Sequence, residues 1–215
     1  MIKTLKILGK RWLGSFFKMS DLFSIINTWL TARHPVYFSN SIGKTLKGKV
    51  IAEGLAFVGV FSNKIALDPK AAGQFRVSKG GTVHFEKNVR IARGCTIFVD
   101  GKLFIGDYTY IQPNANIIAR TEVRIGKNCA ISWNFQALDD DLHVITIDGI
   151  EKERTNSILI ENHVWIGSNV TVLKNTKIGE NCVIATGSVV KGNFPPNCLI
   201  AGVPAKIIKQ NVNWK

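Results

Sequence analysis

The sequence from residue 160 to residue 195 divides into six hexapeptides: IENHVW, IGSNVT, VLKNTK, IGENCV, IATGSV and VKGNFP. Neither the 3.6-residue period of a helix nor the two-residue period of a simple strand produces this pattern. A six-residue repeat predicts a β-helix in which each hexapeptide forms one flat side of a coil. The aliphatic residue that opens each hexapeptide then points inward, at Ile160, Ile166, Val172, Ile178, Ile184 and Val190. A small or compact residue four places later fills the corner, at Val164, Val170, Thr176, Cys182 and Ser188.

The same spacing continues upstream with one regular change. Inward positions are six residues apart within a coil, and a step of eight leads into the next coil. Early coils therefore advance by 20 residues (85 to 105 to 125) and late ones by 18 (160 to 178), which predicts a wider corner along one edge of the early coils. The predicted inward positions are Phe85, Ile91, Ile97, Ile105, Ile111, Ile117, Ile125 and Ile131, with a weaker first coil at Ile65, Ala71 and Val77.

Positive charge is concentrated at the amino end of the chain. The 215 residues include 28 lysines and arginines against 15 acids, and residues 1–49 hold nine of these bases but one acid, Asp21. Apolar residues lie between the bases at roughly helical spacing, without the run of about 20 that a spanning helix needs. A signal-peptide cleavage site is also not expected. Residues 1–48 are predicted to form a basic amphipathic segment that lies on an anionic membrane surface or packs on the main domain or a neighbouring subunit.

The repeat also sets the other predicted domain limits. The β-helix is expected over residues 49–205, followed by a C-terminal tail at 206–215. Pro195 and Pro196 are expected to end the coil, because proline cannot donate to a sheet ladder. The four cysteines lie far apart without a CxxC pair. Their spacing fits neither a zinc site nor a disulfide framework and favours a reducing cytoplasm.

The repeat is interrupted by an inserted loop predicted at residues 138–158, where residues 138–157, LDDDLHVITIDGIEKERTNS, leave the hexapeptide register. Loops of this length inside a compact repeat are uncommon and usually functional or disordered. Insertions in solenoids project on one face, often the binding face. This one opens with three consecutive aspartates beside His143, one of only four histidines. The segment is either a solvated acidic turn or the place where a histidine acts as a base.

The hexapeptides, the DDDLHVI segment, the NHVWIGSNVTVLKN rung and the PPNCLIAGVPAKIIK tail together resemble the hexapeptide-repeat acyltransferases. Within that superfamily, ISWNFQALDDDLHVI and the late NVNW are most similar to bacterial O-acetyltransferases that modify capsular and lipopolysaccharide sugars. The resemblance covers about residues 80–215. It implies an all-β, left-handed parallel β-helix and a homotrimer with acetyl-CoA between subunits. The implied reaction acetylates a sugar hydroxyl of a cell-surface polysaccharide or its precursor, without metal or nucleic acid.

The resemblance also assigns roles to individual residues. His143 corresponds to the general base, and Asp141 of the Asp-x-His pair to the carboxylate that orients it, with Asp139 as the alternative. Trp165 corresponds to a tryptophan beside the thioester end of the cofactor; a tryptophan buried at a subunit interface is the other interpretation. The remaining residues matched to the cofactor are Ser168, Thr186 and the phosphate-binding lysines Lys191, Lys206 and Lys209.

Acceptor contacts are expected at Trp133, Asn134 and Asn114, where the tryptophan either stacks on a sugar or packs internally. The acceptor-binding asparagine and aspartate of galactoside and maltose acetyltransferases fall at Gln112 and Arg120, which favours an acceptor other than a small free disaccharide. The basic amino end suits a lipid-linked carbohydrate at the inner face of the cytoplasmic membrane.

Three other functions fit parts of the pattern. A γ-type carbonic anhydrase needs three histidines converging on one metal, and His143 and His163 are twenty residues apart (163 − 143). An acetyltransferase acting on an antibiotic, on serine or on a free sugar would share the fold and the base. A non-enzymatic β-helix scaffold would explain the repeat but neither the loop nor His143.

Overall fold

The computed structural model describes residues 36–39, 41–60 and 72–215. Every regular element within these ranges is a β-strand. The strands wind into a parallel β-helix with three flat sides, as the hexapeptide repeat predicts. Equivalent strands of successive coils lie next to each other, so each side grows into a long parallel sheet.

The first side contains β1 (Val36–Phe38), β4 (Ala56–Val60), β7 (Val89–Ala92), β10 (Tyr110–Ile111), β13 (Ala130–Ile131), β18 (Trp165–Ile166), β20 (Val183–Ile184), β22 (Cys198–Gly202) and β23 (Ala205–Gln210). These nine strands form one sheet in that order. All of its pairs are parallel except the last, β22 with β23, which is antiparallel.

The second side contains β2 (Ile42–Leu46), β5 (Gly73–Val77), β8 (Thr96–Val99), β11 (Asn116–Ala119) and β14 (Gln136–Leu138). The third contains β3 (Lys49–Ala52), β6 (Thr82–Phe85), β9 (Lys102–Ile105), β12 (Glu122–Ile125) and β17 (Ile158–Ile160). Two longer strands, β19 (Thr171–Ile178) and β21 (Val189–Phe194), run through the corner and belong to both sides. A separate antiparallel hairpin of β15 (Ile145–Ile147) and β16 (Ile150–Lys152) projects from the loop.

The core consists of the inward positions of the repeat, stacked along the axis. The six aliphatic residues predicted to point inward in the late coils are no more than 1% exposed, and so are the eight predicted in the early coils from Phe85 to Ile131. The small residues predicted at the corners are also buried. Full burial of one such aliphatic side chain contributes about 1.5–3 kcal/mol, so the stacked rows supply the main stabilising contribution.

The corners explain why asparagine is so common in this sequence. At one corner, Asn88, Asn128, Asn181 and Asn197 adopt φ near +60°, and Tyr108 and His163 take the same conformation in the intervening coils. Asparagine tolerates this left-handed conformation better than most residues. From Tyr108 onward, the N–H of each of these corner residues donates to a carbonyl of the preceding coil, as in His163 to Lys127 at 2.7 Å. The corners thus extend the hydrogen-bonded ladder.

The wider corner of the early coils is confirmed. Two residues, Asp100 and Gly101, separate β8 from β9, and the equivalent pair separates β11 from β12. A Cβ at Gly101 would come within 2.3 Å of the Thr121 carbonyl oxygen, so the turn requires glycine. In the later coil, β19 passes through the same corner without a break, with a register shift between Val172 and Thr176.

The ladder extends beyond both predicted limits. The expectation that Pro195 and Pro196 end the coil is wrong: β22 follows them and pairs in parallel with β20. The prolines occupy a corner, between Phe194 and Asn197, where the ladder does not need their N–H groups. Beyond β22, the chain reverses into β23, which includes residues 206–210 of the predicted tail.

At the amino end, β1 and β2 already belong to the ladder, upstream of residue 49, where the sequence prediction began the β-helix. The rest of the predicted basic segment, residues 1–35, lies outside the described residues. Of the weak first coil, Ile65 and Ala71 also lie outside them, whereas Val77 is buried in β5.

Candidate active site

Five of the residues predicted to bind substrate or cofactor lie along one edge, the corner between the first and second sides. Parallel pairing of Ile131 with Ile166 and of Ile166 with Ile184 sets the register there. Trp133, Ser168 and Thr186 each lie two residues after one of these three isoleucines, so they occupy equivalent places in consecutive coils. The other two predicted residues lie one position further along the same corner of their coils. These five residues are Trp133, Ser168 and Thr186, followed by Asn114 and Asn134, and we call them the polar edge.

The polar edge contains one buried donor without a partner among the described residues. Trp133 Nε1 is buried and makes no hydrogen bond to any described residue. Asn134 takes φ 57° at the corner, and its Nδ2 donates to Asn169 Oδ1 at 2.9 Å. An unpaired buried N–H costs about 1–3 kcal/mol. A hydrogen-bond acceptor from a ligand or a water molecule would remove this cost at the indole N–H.

Trp165 lies on the first side close to the polar edge, and its side chain is 43% exposed. The Trp214 side chain lies beside it, with ring centroids 6.2 Å apart. Trp214 stacks on His163 at 4.3 Å and donates its Nε1–H to the His163 carbonyl at 2.8 Å. His163 Nδ1 lies 3.0 Å from Asn181 Oδ1. His163 is therefore part of an aromatic cluster that sequence spacing alone could not identify.

The predicted phosphate-binding lysines fall into two places. Lys206 and Lys209 are exposed on β23, opposite Ala201 and Leu199. Trp165, Val183, Leu199 and Lys209 occupy neighbouring positions across the first side, so Trp165 and Lys209 are about 14 Å apart at the usual strand spacing. Lys191 is exposed on β21, which belongs to the other sheet, so the structure does not group it with the other two lysines.

The loop that carries His143 leaves the β-helix at the corner between the second and third sides. Its two stems pair with each other at the root: Asp140 bridges to Thr155, and the Asp141 N–H donates to the Arg154 carbonyl at 3.0 Å. Beyond this root the chain extends into the exposed β15–β16 hairpin. The loop therefore has a fixed base and a projecting tip.

The first aspartate of the loop, Asp139, completes the ladder where the chain departs. In the early coil, the N–H groups of Asp100 and Gly101 both donate to the backbone carbonyl of Ala119. One coil later, the N–H groups of Arg120 and Thr121 donate instead to the Asp139 carboxylate, at 2.8 and 2.7 Å. Burial raises the pKa of Asp139, and these N–H groups offset the shift in part. Asp139 is thus a structural cap.

The other two aspartates, unlike Asp139, form ion pairs within the part of the chain that the structure describes. Asp140 is buried, its Oδ1 lies 3.0 Å from Arg154 Nε, and its Oδ2 lies 3.2 Å from Arg120 Nε. Asp140 Oδ1 also accepts the Leu142 N–H at 2.8 Å. The Asp141 carboxylate lies 2.8 Å from Lys174 Nζ.

His143 is exposed just beyond the root and makes no hydrogen bond or ion pair with any described residue. The structure therefore brings neither Asp141 nor the alternative, Asp139, to His143. The neighbouring hairpin and the residues that lead into it present an apolar surface, since five of their aliphatic side chains are 49–61% exposed. They are Leu142, Val144, Ile145, Ile147 and Ile150. Their near-alternation in LHVITIDGI was the available sequence signal for an exposed strand pair.

Within residues 36–39, 41–60 and 72–215, no cluster of three or more His, Cys, Asp or Glu side chains is placed to hold a metal ion. In the same ranges, no helix has the length and apolar character needed to cross a membrane.

Residues 157–192 match the family model described as bacterial transferase hexapeptide (six repeats). A putative lipopolysaccharide biosynthesis O-acetyl transferase of Escherichia coli K12 is 30% identical over 146 residues, which cover 62% of this chain and 74% of that protein. A 24.8 kDa protein in the cps region of Klebsiella pneumoniae is 37% identical over 142 residues, 65% of this chain and 63% of its own length.

Among solved structures, a polysialic-acid-specific acetyltransferase superposes with a TM-score of 0.61 at 25% identity. The superposition covers 83% of this chain and 88% of the other.

Proposed function

This chain belongs to the hexapeptide-repeat acetyltransferases, and from that premise we propose that it transfers an acetyl group from acetyl-CoA to a hydroxyl of a cell-surface polysaccharide or its precursor. The observation that carries the proposal is the placement of His143. It is exposed beside the root of the loop that interrupts the hexapeptide repeat, where hydrogen bonds join the two stems of that loop. Similarity to the E. coli lipopolysaccharide enzyme supports the carbohydrate acceptor.

Acetyl-CoA is assigned to the surface formed by the first side and the polar edge. Trp165 supplies an exposed aromatic face for the thioester end, with Ser168 and Thr186 in adjacent coils for polar contacts. Lys206 and Lys209 on the same sheet supply positive charge for the phosphate end. Lys191 lies on the other sheet, apart from these two lysines, and completes the set of lysines assigned to the phosphates.

The proposed chemistry is direct transfer in a ternary complex. The neutral imidazole of His143 takes the proton of the acceptor hydroxyl as its oxygen attacks the thioester carbonyl carbon. The C–S bond of the tetrahedral intermediate then breaks, and the imidazolium returns the proton to the departing thiolate of CoA. Acetylated sugar and CoA thiol are the products, and no covalent enzyme intermediate forms. Stabilisation of the oxyanion by a positioned N–H would contribute about 3–4 kcal/mol.

A homotrimer is part of the proposal because one chain separates the two halves of the site. His143 projects from the corner between the second and third sides, whereas Trp165 lies on the first side. The exposed apolar hairpin beside His143 offers a surface that a second copy can cover. We infer that each site combines His143 of one chain with the Trp165 surface of another.

The acceptor is assigned to the polar edge. The unpaired Trp133 Nε1 is placed to donate to an acceptor oxygen, and Asn114 and Asn134 present amides at the same corner. Gln112 is buried, and Arg120 is committed to Asp100 and Asp140. Neither therefore offers the contacts expected for a small free disaccharide. The basic composition of residues 1–48 favours a lipid-linked acceptor at the cytoplasmic face of an anionic membrane.

The test is thiol release from acetyl-CoA by the purified protein, with and without a lipid-linked or polymeric glycan, followed by mass spectrometry of the glycan. The proposal predicts acceptor-dependent release and a mass increase of one acetyl group, from a particle of three chains by light scattering. Release that depends on an antibiotic or on free serine instead would assign the protein to small-molecule acetyl transfer. A protein that releases no thiol with any acceptor would contradict the enzymatic assignment.

A further inference from the structure

A nearly buried lysine, Lys174, holds the loop that carries His143. Lys174 is 8% exposed and stands in β19, one coil above the residue where the loop departs. Register pairing of Leu138 with Leu173 places Lys174 directly over Asp139. The side chain thus lies at the corner from which both stems of the loop emerge.

All three N–H donors of the Lys174 ammonium have acceptors at the loop root. Nζ lies 2.8 Å from Asp141 Oδ2 on the outgoing stem. On the returning stem it donates to the carbonyl of Arg154 at 3.1 Å and to that of Glu153. A lysine ammonium carries three donors, and here each one meets a different residue of the loop.

Burial of the Lys174 ammonium costs free energy unless all three of its acceptors are in place. A buried ammonium without partners loses its hydration and has little to replace it. Removal of Lys174 would likewise leave a carboxylate and two carbonyls without a cation. Because the Asp141 carboxylate is bound to Lys174, it is also held away from the histidine two residues later.

We propose that Lys174 is a positioning residue for acetyl transfer: it joins the two stems of the loop to the β-helix and thereby presents His143 at a fixed place. The inference rests on the proposed function, since it takes His143 as the base. Lys174 touches neither the Trp165 surface nor the polar edge. Its loss should therefore change turnover and leave acetyl-CoA binding unaltered.

The test compares Lys174→Met with Lys177→Met. Lys177 lies on the same strand, three residues later, but is exposed, and its ion pair is with Glu161 at 3.0 Å. Lys174→Met should lower kcat about 10- to 100-fold, the range expected when a catalytic group is displaced by about 1 Å. The KM for acetyl-CoA should stay within about twofold, because the surface assigned to it is untouched. Lys177→Met should match the wild type in both constants.

Limited trypsin digestion gives a readout that does not depend on activity. The Arg154–Thr155 bond is a trypsin site, and its carbonyl is held by Lys174 Nζ and by the Asp141 N–H. Lys174→Met should accelerate cleavage after Arg154 at least tenfold while the β-helix stays resistant, and Lys177→Met should not. If Lys174→Met does not fold, Asp141→Asn removes the charge on one of the three acceptors and should give smaller changes in the same direction.

A His143→Ala variant in the same experiments separates the role of His143 as base from the role of Lys174 in positioning it. An active His143→Ala variant would overturn the proposed base while leaving the trypsin result for Lys174 intact. A Lys174→Met variant with normal kcat and a resistant loop, beside an inactive His143→Ala, would overturn the positioning role alone. Loss of activity in Asp141→Asn with a resistant loop and an active Lys174→Met would instead show that Asp141 orients His143 directly.

Discussion

Replacing Asp139 with asparagine should destabilise the β-helix without removing any side-chain volume. The carboxylate is fully buried and accepts the N–H groups of Arg120 and Thr121 at 2.8 and 2.7 Å. An asparagine oxygen can replace one acceptor, but its NH₂ group would face the other N–H. Hydrogen bonds to a charged group contribute about 1.5–3 kcal/mol each, and an unpaired buried donor adds a cost of about 1–3 kcal/mol. Because the raised pKa of Asp139 shows that its own burial is costly, we expect a net loss of about 3 kcal/mol.

Thermal unfolding measures this loss directly. For a chain of about this size, 1 kcal/mol corresponds to about 2–4 °C, so Asp139→Asn should lower the midpoint by about 10 °C. Asp148→Asn is the matched control, because Asp148 is exposed in the turn of the hairpin and has φ 51°, which asparagine tolerates well. An unchanged midpoint in Asp139→Asn would refute the capping role. An unchanged midpoint together with lost activity would make Asp139 the partner of His143.

Three further predictions concern the rest of the fold. Ile117→Ala should lower the free energy of unfolding by about 2–5 kcal/mol in denaturant titration, because the side chain is fully buried in the stacked core. The Lys87 N–H and the Lys127 ammonium lower the pKa of Asp107 below its ordinary 3.8. The advantage of wild type over Asp107→Asn should therefore be complete above about pH 4 and disappear as pH falls through the lowered pKa. Native protein should release no colour with a thiol reagent at pH 8, because all four cysteines are buried. Burial also raises the pKa of Cys95 to about 12, that of Cys129 to about 11 and that of Cys182 above its usual range.

The coil could be predicted from the sequence because a β-helix repeats one local rule. Each inward position follows the previous one by six or eight residues, so spacing alone identified Ile105, Ile117 and Ile166 as core residues. The prediction for the prolines was wrong because the effect of a proline depends on where it lies in the coil. At a corner, the missing N–H groups of Pro195 and Pro196 cost the ladder no hydrogen bond. Only the coil geometry shows that these two residues lie at a corner.

The loop could be located from the sequence, but its internal contacts could not be predicted. Proximity along the chain favoured a pair between Asp141 and His143, two residues apart. The structure pairs Asp141 with Lys174, 33 residues later (174 − 141), because the next coil brings that lysine over the loop root. Spacing within the loop carries no information about which residue the following coil places above it. The same reason hid the stack of Trp214 on His163, which are 51 residues apart.

The central claim is that His143 is the base of an acetyl-transfer site. The most direct measurement is the kcat of His143→Ala with acetyl-CoA and a glycan acceptor, beside His84→Ala as a control. His84 lies on the third side, 3.0 Å from Glu53, and away from the loop. Loss of a general base should lower kcat about 10²- to 10⁴-fold while acetyl-CoA binding and oligomeric mass stay unchanged, and His84→Ala should keep full activity. A His143→Ala variant that turns over within threefold of wild type would contradict the account.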